Sequence, residues 1–69
     1  MKQVKAVLKV SQKVGSMTEL AIRLGCSKSY VSKWSKGERK VPIKYVKRIV
    51  ELSQGEIRKK DLRPDVYDD

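Results

Sequence analysis

Ser27, Lys28, Ser29, Ser32 and Lys33 bring serine hydroxyls and two ammonium groups together in one short segment, with no carboxylate among them. Hydroxyls donate and accept at short range, and lysines reach further as point charges. On one face of a helix such a set can meet base edges and phosphates of a nucleic acid without repelling them. Lys28, Ser29, Ser32 and Lys33 are the candidates for base readout. Lys28 and Lys33 fit either a base edge or a phosphate, whereas Ser29 and Ser32 lie mid-helix with no capping role to explain them. Ser27 suits a helix N-cap that can also touch phosphate. Lys36, Arg39, Lys40 and Lys44 follow the segment, and Thr18 precedes it near the start of another helix. With Ser27 they form the candidate phosphate contacts. Tyr30 lies on the flank, where it either stacks on DNA or packs on the first helix, with packing preferred.

Other chemistries lack their residues. The chain has no histidine and one cysteine, which removes Ser–His, Cys–His and His–metal catalysis, an internal disulfide and a zinc site. The acids of the first 60 residues are Glu19, Glu38, Glu51 and Glu56, and none pairs with another at catalytic spacing. No enzyme activity, cofactor, metal or small-molecule ligand is expected. Cys26 reads as a small buried hydrophobe.

Four elements must position the candidate face. Glycines 15, 25, 37 and 55 punctuate the chain, and Pro42 and Pro64 add further breaks. A first helix is predicted over about residues 3–14, with Val4, Val7, Leu8 and Val14 inward and Lys5, Lys9 and Lys13 outward. Ser16 and Glu19 have capping-box spacing for a second helix, with Leu20, Ala21 and Leu24 inside. Gly25 takes a tight turn, where a β-carbon is expected to clash. Ser27 caps a third helix with Val31 and Trp34 inside, closed by Gly37. Pro42 fits the first turn of a fourth, with Ile43, Val46, Ile49 and Val50 as its stripe. Residues 56–67 read as an extended or turn-rich tail packed back through Ile57, Leu62, Val66 and Tyr67. Residues 17–36 thus form a helix-turn-helix unit. The fold expected is all-α, a compact bundle of four to five helices with an irregular tail. One domain is expected over residues 1–67, with 68–69 frayed.

At 69 residues and a net charge of +9, the chain holds one small domain whose partner is anionic. The excess is uneven: residues 1–60 carry 16 Lys or Arg against 4 Glu, while residues 61–69 carry four Asp against Arg63. The acidic end reads as solvated, and so does the Lys5/Lys9/Lys13 stripe. No apolar run approaches the roughly 20 residues of a membrane span. No signal-peptide h-region follows the first residues, so a cytoplasmic location is expected.

The segment MTELAIRLGCSKSYVSKWSKGERKVP, with the ending DLRPDVY, resembles the Cro-like helix-turn-helix regulators of bacteriophages and prophages. Within that group it is most similar to the YdaS-type proteins, known as prophage repressors or antitoxins. The resemblance spans about residues 3–67. It implies sequence-specific binding of a double-stranded DNA operator, commonly as a homodimer on a near-palindrome. The recognition helix departs from many relatives in having no Gln or Asn to read adenine. Lys and Ser must do that work, or DNA shape supplies part of the specificity. The alternative function is an antitoxin that binds a toxin protein and its own promoter. An RNA-binding module is a third class, weakened by the scarcity of exposed aromatics for base stacking.

Overall fold

The computed structural model describes residues 2–68. Among them the chain forms five helices and no strand: α1 (Lys2–Val14), α2 (Met17–Leu24), α3 (Lys28–Ser35), α4 (Ile43–Leu52) and α5 (Lys59–Leu62). Helix α1 is the hub and packs against all four others. The core comprises Ala6, Val7 and Val10 of α1, Leu20 and Ala21 of α2, and Val31 and Trp34 of α3. Val41, Val46, Ile49, Ile57 and Leu62 complete it.

The inward face of α1 differs from the predicted one. Gln3, Ala6, Val7, Val10 and Ser11 are buried, Val4 and Val14 are half-buried, and Leu8 is exposed. The stripe is centred on Gln3, Val7, Val10 and Val14, which recur at three- and four-residue steps. Leu8 lies one residue beyond that stripe and turns to solvent. In α4, Val46 and Ile49 are buried and Val50 is half-buried, but Ile43 is exposed at the first turn. Pro42 is the N-cap rather than the first helical residue.

The α2–α3 unit has the predicted boundaries, with two corrections to its physics. Ser16 Oγ accepts from the Glu19 N–H at 3.1 Å, but the Glu19 carboxylate pairs with Arg23 at 3.3 Å, so only half of the capping box is shown. Gly25 is required by its backbone rather than by crowding. Its φ is +74°, and a β-carbon there would meet nothing within 4 Å. The Cys26 N–H donates to the Ala21 carbonyl at 3.0 Å and the Gly25 N–H to Ile22 at 3.2 Å. These are the two bonds of a Schellman helix end. The same pair closes α3, with the Glu38 N–H on Lys33 O and the Gly37 N–H on Trp34 O.

The tail contains a helix where the sequence predicts an extended or turn-rich segment. One turn, α5, is started by the Asp61 carboxylate, which accepts the Arg58 N–H at 2.8 Å. Ile57 and Leu62 are buried there, Tyr67 is half-buried, and Val66 is exposed. The acidic end is therefore built into the fold at Asp61 and Asp65. Asp68 is exposed, and Asp69 lies outside the described residues.

Candidate nucleic-acid interface

Helix α3 is fixed on three sides. Its N-cap Ser27 accepts the Tyr30 N–H at 3.4 Å. Its inner residues Val31 and Trp34 are fully buried, and the Trp34 ring meets Tyr45 with centroids 5.5 Å apart. The Ser35 hydroxyl donates to the Ser32 carbonyl at 2.7 Å, so its burial leaves no unpaired donor. What remains faces outward. Lys28, Ser29, Ser32, Lys33, Lys36 and one carboxylate, Glu38, line one shallow concavity of about 340 Å³. Lys28, Ser29 and Lys36 are exposed, while Ser32 and Lys33 are half-buried along the helix flank. All four candidate base readers are thus brought onto one surface.

The candidate phosphate contacts are more dispersed. Thr18 is exposed in the first turn of α2, and Arg39 and Lys40 are exposed in the connection from α3 to α4. Lys44 lines a separate depression with Tyr30, Trp34, Pro42 and Tyr45, its Nζ lying 5.1 Å from the Tyr45 ring centroid. Tyr30 is half open to solvent beside that depression, so the preferred packing on the first helix is corrected. Tyr30 sits on the rim of α3, where the bundle leaves a gap. Cys26 is half-buried against the core rather than enclosed, and burial pushes its thiol pKa up. Of the basic stripe on α1, Lys5 and Lys9 are exposed, and Lys13 reaches Glu56 at 3.6 Å.

Sequence reasoning missed the residues that hold the connection between α3 and α4. Gln3, 6% exposed, donates through Nε2 to the Trp34 carbonyl at 3.1 Å and the Arg39 carbonyl at 2.7 Å. Its Oε1 accepts the Val41 N–H at 3.2 Å. From the other side, Arg63 donates to the Val41 carbonyl at 2.9 Å and grips Asp65 with two further bonds of 2.9 and 2.8 Å. Asp65 also accepts Lys40 at 3.3 Å. The Arg63 guanidinium, with help from Lys40, holds the Asp65 carboxyl well below the usual carboxylate range, against a smaller opposing effect of burial. The only advance sign was the LRPD string, whose chemistry shows once Arg63 is seen to fold back on Val41.

Among the described residues no cluster of His, Cys, Asp or Glu is placed to hold a metal ion. No helix there is long and apolar enough to cross a membrane.

Comparisons with known proteins agree with this architecture. Residues 7–69 match the model of a family described as bacterial toxin YdaS. That description says toxin, where the sequence resemblance implied repressors and antitoxins. No curated protein matches the chain. Among solved structures, the Cro protein from prophage element Xfaso 1 in Xylella fastidiosa strain Ann-1 superposes with a TM-score of 0.81 at 31% identity, covering 93% of this chain and 97% of that one. The chain belongs to the YdaS family of Cro-like helix-turn-helix regulators.

Proposed function

We propose that this protein binds double-stranded DNA sequence-specifically and acts as a transcriptional repressor of Cro type. The observation that carries the reading is the outer face of α3. It is a helix face with two lysines, two serines and a following lysine on one concavity, backed by a buried tryptophan that fixes its direction. Inserted in a major groove, Ser29 and Ser32 reach base edges at short range, and Lys28 and Lys33 reach a guanine edge or a neighbouring phosphate. Lys36 at the end of that concavity, with the more dispersed Thr18, Ser27, Arg39, Lys40 and Lys44, would neutralise the backbone. Residues 1–67 serve as the single binding unit.

The size of the molecule favours a dimer on DNA. Its longest axis is 28 Å, shorter than the ~34 Å between half-sites one helical turn apart. One copy therefore reads one half-site, and a near-palindrome takes two. The family description as a bacterial toxin supports a second reading, in which the chain itself acts as a toxin. The carboxylate-poor face of α3 favours DNA as the primary partner.

The test is the salt dependence of duplex binding. About five to eight neutralised phosphates per dimer give a slope of log affinity against log salt of about −5 to −7. A slope near zero with a tight protein partner contradicts the DNA reading.

A further inference from the structure

The connection between α3 and α4 carries Lys36, Arg39 and Lys40 and has no regular structure of its own from Gly37 to Val41. Left alone, such a segment samples many conformations and pays ordering entropy when it meets a ligand. Here it is tied down from both sides by residues distant in sequence. Gln3 is buried and makes three hydrogen bonds, to the Trp34 and Arg39 carbonyls and from the Val41 N–H. Arg63 caps the Val41 carbonyl and is itself oriented by Asp65. Asp65 in turn holds Lys40. The Trp34 carbonyl belongs to α3 and the Arg39 carbonyl to the connection. Gln3 thus measures the distance between the reading helix and the cations that follow it.

We infer that Gln3 and the Arg63–Asp65 hook are specificity-determining positioning residues: they hold the cation-bearing connection in register with α3, so phosphate contacts form only where the helix also meets its bases. The inference rests on the DNA-binding reading above. Neither Gln3 nor Arg63 need touch DNA for this. With the clamp intact, the connection is preorganised, and Lys36 and Arg39 meet the backbone at one fixed offset from Ser29 and Ser32. Asp65 adds a second effect. Its carboxylate occupies the Lys40 ammonium as a phosphate would, so Lys40 is withheld from a duplex until a fitting phosphate competes for it. Loss of the clamp leaves the cations present but unregistered. Cognate binding then weakens while scrambled binding does not.

The experiment uses the full chain with Gln3→Met, Arg63→Lys and Asp65→Asn. Gln3→Met keeps buried volume, Arg63→Lys keeps charge but loses the fork, and Asp65→Asn changes an exposed position without touching the core. Helix content by circular dichroism, exchange of the Val41 amide, and binding to cognate and scrambled duplexes at several salt concentrations are measured together. The expected result is unchanged helix content, faster Val41 exchange in Gln3→Met, and a cognate-to-scrambled ratio lowered about tenfold, comparable with losing one base-pair contact. Asp65→Asn is expected to lower the same ratio by strengthening scrambled binding severalfold. Its ratio is the deciding one should either clamp variant lose helix content. Folded variants that keep the wild-type ratio while the Val41 amide exchanges freely overturn the inference and leave the DNA reading standing. A wild-type chain that binds no duplex overturns both.

Discussion

At the scale of single residues, the side chains proposed to read bases and those proposed to contact phosphate stand side by side on α3. Ser29 and Lys33 share the outer face of α3, four residues apart, and Lys36 lies at the end of the same concavity. A base-reading residue and a phosphate-contacting one leave different signatures when truncated. Ser29→Ala and Lys33→Ala are expected to cost about 1–3 kcal/mol on a cognate duplex and to relax preference at one base position each. Lys36→Ala is expected to weaken cognate and scrambled duplexes alike and to lower the salt slope by about one. Titrations of each variant at several salt concentrations check both. The reverse pattern would remove α3 as the reading helix. The reader candidates were legible because small, charged and apolar residues alternate cleanly through residues 27–36. Gln3 was not, because a glutamine among lysines at a helix start ordinarily faces water. Only the return of residues 34–41 over α1 supplies the carbonyls and the N–H that make its burial favourable.

At the scale of elements, α3 depends on its tryptophan. Trp34 is 1% exposed and stacks at a tilt on Tyr45. Trp34→Ala removes the largest buried side chain and is expected to cost about 3–5 kcal/mol, most of what a domain this small holds in reserve. Thermal unfolding followed by circular dichroism should show the helix signal lost near 37 °C. A variant that melts like the wild type would contradict this role for Trp34. The hook predicts a pH effect. Because Asp65 is lowered in the folded state, its ionised form contributes stability above the ordinary carboxylate pKa of about 4, and this is lost as pH falls through the lowered folded-state value. Asp65→Asn should therefore melt below wild type at pH 7, with the gap narrowing in acid below about pH 4. A gap constant into strong acid would contradict an ionic hook. Helices α2 and α3 were legible because caps, glycines and apolar spacing agree. Helix α5 was not, because four residues are too few to show a period. Its N-terminal signal is an Asp at the third position after Arg58, without the usual Ser or Thr before it. Leu8 misled for a related reason: two adjacent apolar residues, Val7 and Leu8, cannot both lie at the centre of one narrow stripe.

At the scale of the whole molecule, cations gather on the outer face of α3 and in the connection after it, while Asp61 and Asp65 of the acidic end pair with neighbours at the surface. Asp61 starts α5 and Asp65 closes the hook, so the charge asymmetry legible in the sequence is a structural device as well as an electrostatic one. A bundle of 28 Å in its longest dimension is shorter than the ~34 Å between half-sites one helical turn apart, so the proposed operator takes two copies. The claim that stands or falls on this is sequence-specific binding through α3. Selection of bound duplexes from a random pool tests it most directly, run in parallel with the wild-type chain and with Lys33→Ala. The account predicts that the wild type enriches a near-palindrome whose half-site centres are about 10 base pairs apart, and that Lys33→Ala enriches a site degraded at symmetric positions. No enrichment by the wild type, or the same site enriched equally well by Lys33→Ala and by a variant lacking Ser29 and Ser32 hydroxyls, would contradict it.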